Sequence, residues 1–180
     1  MLQIYIGNGK GKTTAAAGAA LRAAGEGAEV IFSQFLKDGR SGETALLAET
    51  DHVRVLLQDC FYGFVSGMTE EERAATAASC RRLFRKTEEL AHALSGKAAG
   101  EEGIRVLVVM DEVLHALKYG FLDAGEVLSA VQGFPGGVET VLTGRKAPPD
   151  LLAAADYITE FRKVRHPLDS GTAARKGVEF

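Results

Sequence analysis

The residues with the clearest chemistry form a glycine-rich segment near the start of the chain, Gly7-Asn8-Gly9-Lys10-Gly11-Lys12-Thr13-Thr14. Where a strand meets a helix, glycine amides and the helix N-terminus can converge on phosphate oxygens. Lys12 would neutralise phosphate charge, and the Thr13 hydroxyl would reach a bound Mg²⁺. Lys10 and Thr14 are candidates for further phosphate contacts. We call this segment the phosphate cradle.

The phosphate cradle is one residue shorter than the ordinary P-loop pattern G-x-x-x-x-G-K-[ST]. That pattern requires a glycine five positions before Gly11, where this chain has Ile6. The alternative interpretation is a glycine-rich turn with chance lysines. Because a strand pattern precedes G-K-T-T and a helix pattern follows it, the sequence favours nucleotide binding.

Two acidic residues and an arginine follow later strand-like runs. Asp111 and Glu112 come after an apolar run, where a P-loop protein places its metal-side carboxylates at the carboxyl edge of the sheet. The alternative is an acidic surface turn. Arg145, in Thr143-Gly144-Arg145, would bring a guanidinium suited to bidentate phosphate binding, or it is simply solvated. Together with the phosphate cradle, these residues predict a Mg·ATP site.

The elements that must position these residues form an α/β pattern. Runs of Val, Ile and Leu alternate with helical stretches, which predicts a P-loop NTPase-like fold with a mostly parallel central sheet and helices on both faces. The predicted strands are Leu2–Ile6, Glu29–Phe35, Val53–Leu57, Ile104–Met110, Gly137–Leu142 and Tyr157–Arg162. The run Ile104–Met110 is expected to be the central strand.

Local signals mark the predicted helices. Thr69 with Glu72 forms a capping box that should start a long helix, and Asp123 with Glu126 repeats part of that signature. The predicted helices cover Thr13–Ala24, a short stretch around Gly42–Glu49, a long stretch from Thr69 to about Leu94, a stretch beginning at Asp123, and Pro148–Ala155. The segments Gln58–Gly67 and Lys97–Gly103 read as loops.

Composition limits the possible partners. A length of 180 residues with 46% hydrophobic content predicts one domain, 1–180, and a net charge of -3 provides no general positive field for nucleic acid or a membrane surface. Cys60 and Cys80 form neither a disulfide framework nor a metal cluster, which suits a reducing cytoplasm. The apolar start Met1–Ile6 is too short for a signal peptide or a membrane span, so we expect neither export nor insertion.

Several motifs in a fixed order carry a resemblance that runs along the whole chain. They are the phosphate cradle, Gln34-Phe35-Leu36-Lys37, Asp111-Glu112, Thr143-Gly144-Arg145 and the tail from Lys163 to Phe180. With them the chain resembles the P-loop cob(I)alamin adenosyltransferases, of the cob(I)yrinic acid a,c-diamide type. The resemblance implies transfer of the 5′-deoxyadenosyl group of ATP to Co(I) of a corrinoid, with release of intact triphosphate.

The resemblance also implies roles for particular residues. It implies that Gly7–Thr13 bind ATP, that Thr13 and Glu112 are Mg²⁺ (or Mn²⁺) ligands with Asp111 as a second candidate, and that Lys12, Thr13 and Glu112 serve catalysis. In the family, ATP lies reversed relative to most P-loop proteins, which leaves the ribose 5′ carbon open to the corrin. A homodimer and an external flavoprotein reductant are implied as partners.

An aromatic loop is the corrinoid-side candidate. The family uses aromatic side chains before the long helix to displace the lower axial ligand of cobalt, and often a tryptophan stands there, whereas this chain has none. Tyr62 and Phe64 are the candidates here, and the alternative is that these rings pack the loop onto the core. Some family members carry a further segment before the first strand that helps to cover the corrinoid. Here that strand starts at Leu2, so we expect other loops or a second subunit to close over it.

Two other functions stay open at this point. A P-loop kinase or ATPase could use Asp111 and Glu112 to hold magnesium and activate a water or hydroxyl. A non-catalytic switch or corrinoid carrier could use the nucleotide only to change partner binding. The shortened loop and the tail favour the adenosyltransferase over both.

Overall fold

The structure is a computed structural model that describes residues 1–96 and 105–178. Within these ranges six strands form one sheet: β1 (Leu2–Ile6), β2 (Glu29–Gln34), β3 (Val53–Leu57), β4 (Val106–Asp111), β5 (Val138–Thr143) and β6 (Tyr157–Glu160). Their order is β3-β2-β4-β5-β1-β6, and every pairing is parallel. The predicted parallel sheet is confirmed. The fully buried β4 lies inside it, as expected of the central strand.

Six α-helices lie in the described ranges: α1 (Lys12–Gly25), α2 (Gly42–Ala48), α3 (Glu70–Ser95), α4 (Val113–Lys118), α5 (Ala124–Gly133) and α6 (Pro149–Ala154). Two short 3-10 helices cover Val65–Gly67 and Pro167–Ser170. All the α-helices except α4 were predicted from the sequence. Helix α4 is too short for a helical period to show in its sequence. None of the helices in the part of the chain that the structure describes has the length and apolar character needed to cross a membrane.

Helices cover both faces of the sheet because successive strand residues point in opposite directions. Val30 and Phe32 contribute to one buried cluster, which includes the alanines of α1. Ile31, the residue between them, contributes to the other cluster, which includes the buried apolar residues of α3, α4 and α5. The predicted helices on both faces are therefore confirmed, and each face has its own apolar core.

The predicted caps and core stripe are present. The Thr69 hydroxyl accepts a bond from the Glu72 amide, and the Glu72 carboxylate accepts one from the Thr69 amide. The Asp123 carboxylate accepts from the amide of Glu126. The apolar stripe of α3 is buried at Cys80, Leu83, Phe84, Thr87, Ala91 and Leu94, and Leu90 is partly buried.

The last strand is shorter than predicted, and the difference shapes the site. Strand β6 ends at Glu160 instead of Arg162, because its partner β1 turns into the phosphate cradle after Ile6. The Phe161 amide still donates to the Ile6 carbonyl at 2.8 Å, but the Phe161 carbonyl accepts from the amide of Gly9 at 2.6 Å. The chain leaving the sheet therefore runs directly against the phosphate cradle.

Other differences concern single residues at the element ends. Strand β2 ends one residue before Phe35, and β5 begins at Val138 instead of Gly137. The predicted connection Lys97–Gly103 and Ile104, the predicted start of β4, lie outside the described residues, as does the end of the tail, Glu179 and Phe180. The organisation of residues 1–180 as one domain stays a prediction.

The cap of α3 gives a stability prediction. Replacing Thr69 with alanine removes the acceptor for the Glu72 amide, so we expect the free energy of unfolding to fall by about 1 kcal/mol. Urea denaturation measures this difference. Thr69→Ser keeps the hydroxyl and should lose much less, whereas equal losses in both variants would show that the cap does not act through this bond.

Candidate active site

The phosphate cradle connects β1 to α1 through three glycines with distinct functions. Gly7 and Gly11 have φ angles of 110° and 111°, which residues with a side chain rarely adopt. At Gly9 the constraint is space, because a methyl group there would lie 2.7 Å from the carbonyl oxygen of Phe161. The Asn8 side chain adds a further link by accepting a bond from the amide of Lys163 at 2.9 Å. The loop is thus held against the segment that follows β6.

Lys12 is folded into the loop. Its ammonium donates to the carbonyls of Gly7 and Gly9 at 2.9 and 2.8 Å, and the residue is only 9% exposed. Burial lowers the pKa of Lys12, and the nearby carboxylate of Glu112 partly opposes that shift. The phosphate cradle therefore fixes one positive charge within its own backbone.

Asp111, the last residue of β4, accepts hydrogen bonds from four side chains although it is completely buried. The donors are the Thr13 hydroxyl at 3.0 Å, the Thr143 hydroxyl at 2.7 Å, the Gln34 amide at 3.1 Å and the Lys37 ammonium at 2.8 Å. These donors belong to α1, β5, β2 and the loop after β2. The alternative of an acidic surface turn is therefore wrong for Asp111.

Glu112 takes a different direction from Asp111. Its φ angle is 62°, a left-handed conformation that is uncommon outside glycine, and its amide donates to the Thr143 hydroxyl at 2.9 Å. Its carboxylate pairs with Nδ1 of His115 on α4. Of the two predicted acidic residues, Asp111 thus bonds Thr13, while Glu112 bonds His115.

Two cavities adjoin this cluster. The first, the cradle cavity, has a volume of about 570 Å³ and is lined by Lys10 to Thr14, among others. The second, the aromatic cavity, has a volume of about 500 Å³ and is lined by Phe61, Phe64, Glu112, His115, Tyr119 and Arg145, among others. Lys37 lines both cavities, so they meet at this side chain.

The other predicted phosphate ligands are accessible. Lys10 and Thr14 are exposed and line the cradle cavity. Arg145 is exposed and lines the aromatic cavity, while its backbone carbonyl accepts a bond from the Gly7 amide at 3.0 Å. Arg145 thus lines the aromatic cavity and not the cradle cavity.

The aromatic residues of the predicted corrinoid loop differ in their positions relative to the aromatic cavity. Phe64 is 90% exposed at the aromatic cavity and Phe61 lines it too, but Tyr62 is not among its lining residues. Packing of the loop onto the core is carried by Val65, which is buried in the larger apolar cluster. The alternative that the Phe64 ring packs the loop onto the core is therefore wrong.

Several residues of the site received no role from the sequence. Gln34, Lys37 and Thr143 lie in motifs at the ends of β2 and β5, and the carboxyl ends of parallel strands share one edge, so their motif positions could have pointed to them. His115 gave no signal because α4 was not predicted. A further cavity of about 630 Å³, between α3 and α5, contains none of the predicted site residues.

Comparison with known proteins adds independent findings. The family model for ATP:corrinoid adenosyltransferases of the BtuR/CobO/CobP type matches residues 1–180. Corrinoid adenosyltransferase CobA of Salmonella typhimurium is 34% identical over 179 residues, 98% of this chain and 84% of that protein. A corrinoid adenosyltransferase of Pseudomonas aeruginosa is 35% identical over 183 residues, 100% of this chain and 83% of that protein.

Solved structures support the fold alone. ATPases 2 and 3 of EssC from Geobacillus thermodenitrificans superpose with a TM-score of 0.50 at 13% identity. The match covers 98% of this chain, which spans 34% of that structure's length. The P-loop NTPase-like architecture is therefore confirmed by a second route.

The close approach of Phe161 gives a testable prediction. Gly9→Ala must displace the phosphate cradle, so we expect ATP to bind about tenfold more weakly or worse, since one lost charge-assisted hydrogen bond is worth about 1.5–3 kcal/mol. Calorimetric titration with ATP measures the change. Gly18→Ala, in the open middle of α1, is the matched control and should leave ATP affinity unchanged while adding up to about 1 kcal/mol of stability. Full ATP affinity in Gly9→Ala would contradict this role of the loop backbone.

Proposed function

This chain belongs to the ATP:corrinoid adenosyltransferase family, and we propose that its phosphate cradle holds the triphosphate of ATP while its aromatic cavity receives the corrinoid. The enzyme transfers the adenosyl group of ATP to a corrinoid of the cobalamin type. One observation carries the proposal: the cradle cavity and the aromatic cavity meet at Lys37, so two substrates would lie side by side.

The reaction needs positioning and charge more than acid–base chemistry. Co(I) of the corrinoid attacks the ribose 5′ carbon, the bond between that carbon and the triphosphate oxygen breaks, and its electron pair leaves with the triphosphate. A cobalt–carbon bond forms and cobalt is formally oxidised to Co(III). Because no proton moves, the chain must align the two substrates and stabilise the charge of the leaving group. Lys12, Lys10 and the amides of the phosphate cradle are the proposed source of that stabilisation.

The donor set fits a hard divalent cation. The Thr13 hydroxyl and the buried Asp111 carboxylate lie 3.0 Å apart, and the Lys37 ammonium already contacts both, so a positive charge is accommodated there. No group of three or more His, Cys, Asp or Glu side chains in the described ranges could hold a metal alone, so phosphate and water oxygens would complete the shell. The resemblance implies Thr13 and Glu112 as ligands of Mg²⁺ or Mn²⁺, with Asp111 second. Because Asp111 is the carboxylate that contacts Thr13, we propose Thr13 and Asp111 as the protein ligands and keep Glu112 as a further candidate. The ion would neutralise triphosphate charge.

The aromatic cavity provides the proposed corrinoid contacts. Phe64, with 90% of its surface exposed, presents a ring that would face the corrin and displace the lower axial ligand of cobalt, and Phe61 lies beside it. Tyr62 belongs to the same loop but does not line the cavity, so it is the weaker candidate. We propose that the enzyme recognises the corrin ring itself, which cobalamin, cobinamide and cobyrinic acid a,c-diamide share.

The remaining partners are inferred from the family. We propose that a separate flavoprotein supplies the electron that reduces Co(II), and that the enzyme acts as a homodimer. We also propose a cytoplasmic location. Cys60 and Cys80 are free thiols, which a reducing compartment would preserve.

Lys12 tests the ATP half of the proposal. Lys12→Ala removes the charge held in the phosphate cradle, so we expect at least about tenfold weaker ATP binding without loss of folding. Calorimetric titration and thermal unfolding measure the two quantities. Lys86→Ala, which removes the same charge from an exposed position of α3, should bind ATP normally. Normal ATP binding by folded Lys12→Ala would refute the assignment of the cradle.

Phe64 tests the corrinoid half. If its ring displaces the lower axial ligand, Phe64→Ala should lower turnover of Co(II) substrate with a reductase far more than turnover of chemically reduced Co(I). Anaerobic rates with the two cobalt states, followed in the visible spectrum, give the comparison. Tyr62→Ala is the control on the same loop and should show the smaller difference. Equal losses with both cobalt states in Phe64→Ala would mean that the ring does not act on the axial ligand.

A further inference from the structure

Lys37 lies at the point where a divalent cation is expected. Its ammonium contacts the Thr13 hydroxyl at 3.1 Å and the Asp111 carboxylate at 2.8 Å. These are the two oxygen groups that the proposed function assigns to the metal side of ATP. In the described structure the Thr13 hydroxyl and the Asp111 carboxylate bind the ammonium group of Lys37.

The backbone before Lys37 gives this side chain its direction. Leu36 has a φ angle of 53°, a left-handed conformation that is incompatible with a continued strand. The Leu36 amide donates to the side chain of Gln58. The chain therefore turns at Leu36, two residues after the end of β2, and Lys37 reaches back over the carboxyl edge of the sheet to Asp111.

The charge balance of Asp111 depends on this contact. Among the described side chains that donate to Asp111, those of Thr13, Gln34 and Thr143 are neutral, and Lys37 alone carries a positive charge. A completely buried carboxylate without a cation is costly, because neutral donors replace only part of its hydration. Lys37 therefore supplies the positive charge that is hydrogen-bonded to Asp111.

Lys37 is also able to leave. Its side chain is 30% exposed and already lines the cradle cavity. The flexible four-carbon stem of a lysine allows the ammonium to move without a change in the backbone. Phosphate oxygens in the cradle cavity would provide the ammonium with new partners.

We propose that Lys37 is a positioning residue that occupies the cation position between Thr13 and Asp111 in the nucleotide-free enzyme and moves to the triphosphate when Mg·ATP arrives. The proposal rests on the proposed function for the assignment of Thr13 and Asp111. It adds that metal and nucleotide bind cooperatively. A metal ion alone must displace the ammonium into solvent, whereas a metal ion with triphosphate gives the ammonium a new anionic partner.

The test measures metal binding in the absence of ATP and corrinoid. Titration of the full chain with Mn²⁺, followed by the electron paramagnetic resonance signal of the free ion, should give weak binding for the wild type. Lys37→Met should bind Mn²⁺ about tenfold more tightly or better, because the competing charged hydrogen bond is gone. Lys37→Gln, which keeps a polar side chain without the charge, should change in the same direction and serves if the first variant does not fold.

Two further variants make the test specific. Lys86→Met removes one positive charge from an exposed position of α3 and should leave Mn²⁺ affinity close to that of the wild type. Adding Asp111→Asn to Lys37→Met should abolish the gain. An unchanged Mn²⁺ affinity in the folded Lys37 variants, an equal gain in Lys86→Met, or a gain that survives Asp111→Asn would each overturn the proposal.

This readout is independent of the proposed function. If Lys12→Ala bound ATP normally, the cradle assignment would fail while the nucleotide-free Mn²⁺ data still decided whether Lys37 competes with metal. If instead the Lys37 variants left Mn²⁺ affinity unchanged, the counter-ion role would fail while the ATP and corrinoid assignments stood.

Discussion

The buried carboxylate of Asp111 is the constraint on which the site depends. Burying a carboxylate costs several kcal/mol unless donors and a counter-charge replace its hydration. Here the replacements come from the start of α1, the ends of β2 and β5 and the loop after β2, so these segments must meet at one edge of the sheet. The parallel register that aligns Gln34 with Asp111 and Met110 with Leu142 makes this convergence possible. The same edge then carries the phosphate cradle on one side and the aromatic cavity on the other.

A second constraint concerns backbone and not charge. The phosphate cradle lacks one residue of the ordinary P-loop, and its glycines pack directly on the segment that leaves β6. The shape of the cradle is therefore determined jointly by residues near the start of the chain and by Phe161 and Lys163. This explains why the tail after β6 belongs to the same pattern of motifs as the cradle. The segment after β1 and the segment after β6 therefore meet at the proposed triphosphate site.

Most of the fold followed from local patterns, because strand alternation, glycine turns and the cap at Thr69 act over a few residues. The phosphate cradle and Asp111 could also be predicted from the sequence, because each prediction needed only a residue type at the end of a predicted strand. The hydrogen-bond partners of Asp111 could not be predicted, because they come from segments distant in the sequence; Lys37 is one of them. The direction of the Glu112 side chain depends on the left-handed backbone conformation of this residue, which a glutamate in the sequence does not predict. The separation of Phe64 from Tyr62 likewise depends on loop geometry that spacing does not encode.

The central claim is that ATP is held by its triphosphate as an adenosyl donor beside the corrinoid. The most direct measurement is a single anaerobic turnover of ATP with chemically reduced Co(I) corrinoid, in which the phosphate products are identified by phosphorus NMR and the cobalt–carbon bond by its visible spectrum. The account predicts one intact triphosphate for each cobalt–carbon bond formed. Release of ADP and phosphate, or formation of the nucleotide products without alkylated cobalt, would contradict it and would point to a kinase, an ATPase or a switch.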